Sequence, residues 1–464
     1  MKHMNMQNLS YYLFQKNRIM KYLSLFLTFI ILVSCSFDNK TGIWSGSDEE
    51  KKQLSDLEKE QKQIIDVVKI YSTQNTYYEE ISYSKSLILS KPVNQKSWKM
   101  SGLNLQNFLG HNYLSGVDNK FFKKKIGKDK FSIYQMSTSP LIYRDSIIFV
   151  DDAGNIFHVN MKGKINWKKN IYKKVFKKVY KKLSIFIYNE TIYVSDNIGF
   201  IYSLNFQDGK INWIKNHGVP LKSNLKLFKD KIYVVNQDNR ILCLSAKDGS
   251  LIWDIRSISS FIKSQNFLSI AISKDEDVFS LISSGELIKA NAETGSIRWM
   301  LNTRETMLSS TDFFKSSDIV ISDSNIIFSA FESLYSFDIT SGFLNWEKKI
   351  GSTKTPIIDG DFVFVLTDNG YFVAMDKNKG KTIWSTNIFK ILKKKKRNTF
   401  VSGYILASGK VYITTNNGYL IVCSAKTGKT EYLKKIGDKI ASNPIINNGS
   451  LYILTAESRL LGFN

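Results

Sequence analysis

The chain has 464 residues, and 65 Lys+Arg against 41 Asp+Glu give it a formal net charge of +24. So basic a balance would suit nucleic acid, but the secretory N-terminus excludes it as the expected partner and leaves anionic lipid head groups or an acidic protein. Lysine outnumbers arginine and Ile and Asn are abundant, so an A/T-biased genome also accounts for part of the charge.

In chain order, the first feature is an apolar run over 22–33, preceded by Lys16, Arg18 and Lys21. Twelve residues are too few for a comfortable membrane-spanning helix and fit the core of a signal peptide. The run ends in Leu32-Val33-Ser34-Cys35, which resembles a bacterial lipobox. The resemblance implies cleavage after residue 34, lipidation of Cys35 and a new N-terminus there. Met20 fits as the initiator, because the signal is more compact from that point. Ser36 follows the cysteine in place of the aspartate that retains such lipoproteins in the inner membrane, so the expected location is the outer membrane, facing the periplasm. Removing residues 1–34 takes away Lys2, Lys16, Arg18 and Lys21 and no acids, so +24 becomes +20.

Residues 35–97 read as a lipid-anchored tether. Leu54, Leu57, Ile64, Ile65 and Val68 fall at helical spacings in a highly charged stretch, which predicts an amphipathic helix.

From residue 98 the chain is repetitive. A glycine is followed four residues later by an aromatic at Gly163 and Trp167, Gly209 and Trp213, Gly249 and Trp253, Gly295 and Trp299, Gly342 and Trp346, Gly380 and Trp384, and Gly428 and Tyr432. The aromatics are 46, 40, 46, 47, 38 and 48 residues apart. A fixed period of this length signals a solenoid, propeller or array. Within the sixth unit, 362–366 is an apolar β run and Asp368-Asn369-Gly370 is a tight turn. A second β run follows over 371–375, then a turn at Lys379-Gly380 and a last short strand ending at Trp384. The other units follow the same template, so each reads as an antiparallel meander and the whole as an all-β propeller of four-stranded blades. After Tyr432 the chain supplies three more strands but no Gly-xxx-Trp strand. The unclaimed Trp98 upstream is expected to provide it, closing the ring and covering an open sheet edge. Seven full blades plus one shared blade make eight over residues 98–464.

Two basic clusters interrupt the repeats. Residues 172–183 alternate apolar and basic pairs and suit a short amphipathic helix after the first blade. Residues 393–397 (Lys-Lys-Lys-Lys-Arg) fall in the connection after Trp384, read as an exposed loop. Either suits contact with a membrane surface.

Catalytic signals are sparse. His111, His158 and His217 have no local partners that would make a triad or metal site, and no Walker-type loop is present. Cys243 and Cys423 lie in the third and seventh repeats, about opposite in an eight-bladed ring, which makes a disulfide between them implausible.

The pattern Ala-x-x-Gly-x-x-x-Trp, as in Ala292 to Trp299 and Ala246 to Trp253, resembles the pyrroloquinoline-quinone-like propeller repeat. That family contains the quinoprotein dehydrogenases, which are enzymes, and the BamB lipoproteins of the machine that inserts β-barrels into bacterial outer membranes. The dehydrogenases carry a vicinal cysteine pair beside the cofactor and calcium-binding acid and amide groups. Since no two cysteines here are adjacent, the resemblance favours the BamB branch: a non-enzymatic scaffold without cofactor or metal. It implies docking to the barrel subunit BamA through loops of neighbouring blades, and service to outer-membrane protein precursors, whose strands exposed sheet edges could hold. The family's docking loop after the third-blade tryptophan corresponds here to 258–263, with Phe261, Ile262 and Lys263 as candidates, Lys263 standing where the family has Arg. A neighbouring loop that carries aspartates in the family corresponds to the stretch holding Asp312 and Asp318. The alternatives are a quinone-dependent dehydrogenase-like periplasmic enzyme and a ligand-binding or sensory propeller.

Overall fold

The computed structural model describes residues 37–38, 43–44, 52, 55–56, 77–83, 87–128, 138–257, 268–303, 315–396, 398–437 and 439–464. The chain divides into two compact units, one comprising residues 1–70 with 172–179 and the other residues 71–171 with 180–464. In the first, Phe37–Asp38 pairs antiparallel with Ile43–Trp44, and Lys174–Lys178 forms a short 3-10 turn. That turn is all that forms of the helix expected in the basic stretch 172–183. The tether helix expected around Leu54 lies outside the described residues except at Lys52, Ser55 and Asp56, which are helical.

The second unit is an eight-bladed propeller. Seven blades are sequential four-stranded antiparallel meanders, from Leu141–Tyr143, Ser146–Val150, Asn155–Asn160 and Ile165–Asn170 in blade 1 to Val401–Ala407, Lys410–Thr415, Tyr419–Ser424 and Thr430–Lys435 in blade 7. The first three strands of each blade are flanked by neighbouring blades on both faces, so they are apolar almost without interruption. Val363, Phe364, Val365 and Leu366 are all fully buried. The fourth strand lies at the rim and returns to partial exposure, and Ile165–Asn170 has no fully buried residue.

The two ends of the Gly-xxx-Trp signature meet across the blade interface. Trp167 of blade 1 lies against Gly209 of blade 2, where a Cβ would sit 2.8 Å from the ring. Gly380 of blade 6 stands in the same way against Trp346 of blade 5, 2.6 Å from a would-be Cβ, and its φ of +62° also favours glycine. Each indole N–H donates to a carbonyl of the next blade: Trp167 to Phe206 at 3.0 Å, Trp213 to Ala246 at 3.2 Å, Trp253 to Ala292 at 3.2 Å, Trp299 to Thr340 at 3.1 Å, Trp346 to Lys377 at 2.8 Å and Trp384 to Lys426 at 3.1 Å. The repeat thus encodes a joint: a flat ring from one blade, and from the next a bare backbone turn that accepts it.

Blade 8 closes the ring with an N-terminal strand, as expected, but Trp98 does not belong to it. Ile445–Asn447, Ser450–Leu454 and Arg459–Phe463 are joined by Phe122–Lys125, with Phe122 opposite Gly462 and Lys125 opposite Arg459. Phe122 takes the tryptophan's place, its ring 2.6 Å from where a Cβ on Gly163 of blade 1 would stand. The closing strand needs a flat ring at the joint but not the indole, and a search for tryptophan passes over it.

Trp98 belongs instead to a plug. Residues 87–121 cross one end of the central channel and reach the inner part of all eight blades. Trp98 bridges Ile142 of blade 1, Met100 bridges Phe186 of blade 2, and Asn112 and Leu114 bridge Ala407 and Gly449 of blades 7 and 8. Between these, Lys226 of blade 3 donates to the carbonyls of Ser101 and Asn104 and to Asn107 Oδ1. Asn107 Nδ2 donates to Ile270 O of blade 4 at 3.0 Å and Ile319 O of blade 5 at 2.9 Å. The Ser90 N–H donates to Asp359 of blade 6 at 3.0 Å. Upstream, Ile81 pairs with Ser385 on the outer edge of blade 6, and Asn369 Nδ2 donates to Tyr77 O. Residues 77–83 and 87–97, assigned from the sequence to the tether, are therefore strapped onto the propeller.

Candidate functional site

Strand direction divides the ring into two ends. Each innermost strand runs away from the blade-to-blade connections towards its first hairpin turn. The plug bonds at the hairpin end, while the long connections and the second hairpin turns lie at the other. The stretches singled out in the sequence fall in the connections between blades 3 and 4 and between blades 4 and 5. Phe261, Ile262, Lys263 and Asp312 themselves lie outside the described residues, as does Cys35. The segments that flank them are fixed in place. Thr303 N and Oγ1 both donate to Gly285 O, and Leu268 bridges Ser223 at the start of blade 4. The described residues next to the two connections are therefore anchored to blades 3 and 4.

Asp318 is the one described member of that set, and it does not sit on a projecting loop. It lies two residues before the innermost strand Val320–Ser322 and lines a cavity of about 280 Å³ in the channel. The cavity is lined by the starts of the innermost strands, including Lys182, Asn224, Lys354 and Thr355, and by plug residues Trp98, Ser101, Gly102 and Leu109. Thr355 Oγ1 donates to Asp318 Oδ2 at 3.1 Å. Burial raises the Asp318 carboxyl, outweighing Lys226 and Lys182, which act to lower it. The same burial pushes Lys182 down to about 7, helped by Lys222 and opposed by Asp318. Lys226, fully buried, also falls to about 7, and Lys354 is lowered with Asp368 opposing the shift. The Tyr404 hydroxyl, 2.8 Å from Thr355 O and 3.0 Å from Phe364 O, holds this part of the wall. Sequence reasoning singled out Lys182 only as part of the basic stretch 172–183 and passed over Lys226 and Lys354, because only ring closure brings the three together.

The histidines are apart. His111 belongs to the plug, where its Nδ1 is 2.6 Å from Ser90 O and its Nε2 accepts from Gly409 N–H at 2.9 Å. This network assigns the proton to Nδ1. His158 packs edge-on to Trp167, and burial lowers both His158 and His217. Cys243 and Cys423 are free and buried, and burial pushes both thiols up to about 12, far from the reactive thiolate range. Among the described residues, no three His, Cys, Asp or Glu side chains are grouped so as to hold a metal ion.

Comparison with known proteins agrees with the repeat signature. A family model described as outer membrane protein assembly factor BamB matches residues 182–386. Curated relatives of the same name include those of Moranella endobia, 23% identical over 230 residues (44% of this chain and 56% of the relative), and of Yersinia pestis, 23% identical over 200 residues (42% and 50%). The chain spans about half the length of these curated relatives. Among solved structures, BamB from Moraxella catarrhalis superimposes with a TM-score of 0.61 at 15% identity, covering 75% of this chain and 99% of that one. A europium-containing methanol dehydrogenase superimposes with a TM-score of 0.62 at 12% identity, covering 77% and 89%. The structural likenesses show the propeller fold, common to both branches of the repeat family. The resemblance to BamB read from the repeats is borne out by the family model and the named relatives.

Proposed function

We propose that this protein is a non-enzymatic scaffold lipoprotein of the outer-membrane β-barrel assembly machine, docking to the barrel subunit BamA and assisting the insertion of outer-membrane proteins. The observation that carries this reading is the match of blades 2–6 to the BamB family model, on a ring with the matching fold. The apolar signal-like run and Cys35 support a location on the periplasmic face of the outer membrane, with acyl chains on Cys35 as the anchor. A closed ring presents its loops with little conformational entropy left to lose on docking, and the loops holding Phe261, Ile262, Lys263 and Asp312 are the proposed contact. The structure supports a different role for Asp318, within the channel wall.

Affinity capture from solubilised outer membranes tests this reading. It should recover a large barrel protein with periplasmic repeat domains, and the double change Phe261→Glu and Lys263→Glu should abolish recovery while the circular dichroism of the ring is unchanged. Undiminished recovery rejects the loop assignment. A quinone chromophore, acquired from added quinone and calcium together with alcohol-oxidising activity, would reject the scaffold itself.

A further inference from the structure

Positive charge is spread unevenly around the circumference of the propeller. The outermost strand of blade 8, Phe122–Lys125, adjoins that of blade 1, Ile165–Asn170. In the turn leading into the second strand, a Cβ on Gly163 would stand 2.6 Å from the Phe122 ring and 2.9 Å from the Lys124 side chain. Residues 119–128 hold five lysines and residues 153–171 four, with no arginine, aspartate or glutamate in either stretch. Lys434, on the outer strand of blade 7, extends the cluster: it donates to the carbonyls of Val117 at 3.2 Å and Asp118 at 3.1 Å. Burial lowers Lys120, and the nearby charges of Lys123 and Lys434 lower it further.

Elsewhere the rim carries its own counter-ions. Lys210 pairs with Asp208 at 3.2 Å in blade 2, Arg240 with Asp254 at 2.6 Å in blade 3, and Lys349 with Glu347 at 3.1 Å in blade 5. Among the described residues, Lys123, Lys124, Lys125, Lys162, Lys164 and Lys169 are exposed and take part in no ion pair. The acids of this sector are engaged elsewhere: Glu431 with Lys410 at 2.7 Å, Glu457 with Arg459 at 3.4 Å, and Asp151 with the Asn155 amide at 2.8 Å. Asp118, beside Lys434, offsets part of the charge. Folding thus gathers like charges from three blades, a repulsion that an anionic surface relieves.

Three features favour a lipid surface over an acidic protein. The cluster lies on the convex circumference of the ring, which suits a broad, flat partner. Its cations are all lysine, a hydrated point charge on a flexible stem, and not the arginine fork that grips carboxylates in pairs. Exposed Phe121 and Ile165 lie among them, apolar side chains able to enter a head-group layer while the lysines reach its phosphates.

We propose that the rim of blades 8 and 1 rests on an anionic phospholipid surface, with Lys123, Lys124, Lys125, Lys162, Lys164 and Lys169 facing the head groups. Contact on the circumference stands the ring on edge, its axis in the membrane plane, and leaves both ends of the channel uncovered. The proposal draws on the reading of Cys35 as a lipid anchor only for the nearness of the membrane.

Co-sedimentation with vesicles tests it, using the full mature chain left unacylated by Cys35→Ser. Vesicles of phosphatidylglycerol mixed with phosphatidylethanolamine should bind the protein, and vesicles of phosphatidylcholine alone should not. Binding should weaken steeply with salt, because the screening length shrinks from about 10 Å at roughly 0.1 M to about 3 Å at roughly 1 M. Each lysine at such a surface strengthens partitioning about fivefold, so the triple change Lys123→Gln, Lys124→Gln and Lys125→Gln should weaken it about a hundredfold. The pair Lys162→Gln and Lys164→Gln should weaken it about 20-fold. Lys377→Gln, Lys379→Gln and Lys381→Gln together remove the same charge as the first triple from the rim of blade 6, and should weaken binding by no more than about twofold. That comparison separates a defined surface from net charge. No binding to the anionic vesicles, equal binding to phosphatidylcholine, or an equal loss from the blade 6 triple overturns the proposal. None of these outcomes bears on capture of the barrel subunit through the loops, so the two readings fail separately.

Discussion

The ring and the plug are built from the same chain by opposite rules. In the ring six joints repeat one device: a tryptophan, a bare glycine turn and one indole hydrogen bond to the next blade. In the plug no contact repeats. Asn107, His111 and the backbone of residues 98–115 reach a different blade at each step, through bonds that answer whatever carbonyl or amide that blade offers. The difference teaches that local, nearest-neighbour packing leaves a periodic trace in sequence, whereas a segment touching all repeats at once leaves none.

The contrast can be broken first at a ring joint. Gly380→Val places a β-branched side chain at a φ of +62° and 2.6 Å from the Trp346 ring. Backbone strain and overpacking together predict a loss of roughly 3–6 kcal/mol, visible as a large fall in the denaturant midpoint. Trp384→Ala, which empties a fully buried site in the joint between blades 6 and 7, should cost about 3–5 kcal/mol. If either change costs less than about 1 kcal/mol, the joint is not what holds the ring.

Plug changes should act more locally. Asn107→Ala leaves the carbonyls of Ile270 and Ile319 without their donor, a loss of about 2–4 kcal/mol for two buried acceptors. It should appear first as faster hydrogen exchange at residues 98–115, with blade amides still protected. Uniform loss of protection would mean that plug and ring unfold as one.

The channel lysines, Lys226 buried and Lys182 half-buried, add a pH signature. Lys182 and Lys226 have folded-state values of about 7 against about 10.4 in an unfolded chain. Between these limits the unfolded state binds more protons, so stability rises with pH. The melting temperature should climb from pH 7 to pH 9, and Lys226→Met should flatten that slope. The smallest effect is expected at the strap. Glu80→Gln removes an exposed pairing with Lys390 and should change stability by less than about 1 kcal/mol.

Much of the ring was legible from sequence, because the glycine and tryptophan of each repeat report one contact from both sides. The closing strand was not, because Phe122 fills the joint with a different aromatic, and attention to tryptophan drew Trp98 into a place it does not hold. Phe121-Phe122 followed by three lysines was the available signal: an aromatic at the joint and a rim strand turned to solvent. The loop aspartate misled for a related reason. Asp318 lies close in sequence to a connection, yet two residues later the chain enters the innermost strand, and that offset turns a loop residue into a channel residue. The convergence of the lysines had no sequence trace, since Lys182 and Lys354 are 172 positions apart and Lys182 stands out only as part of the basic stretch 172–183.

The clasp of blade 8 also governs timing. Phe122 and Gly462 are paired across 340 positions (462 − 122), so one strand of the last blade is synthesised long before the other three. Until then the waiting strand is an open sheet edge, able to pair with other extended chains, and closure over such a separation is slow. A protein proposed to work among unfolded barrel strands thus passes through an interval in which it resembles its own clients, and ends that interval only when its last strand comes home.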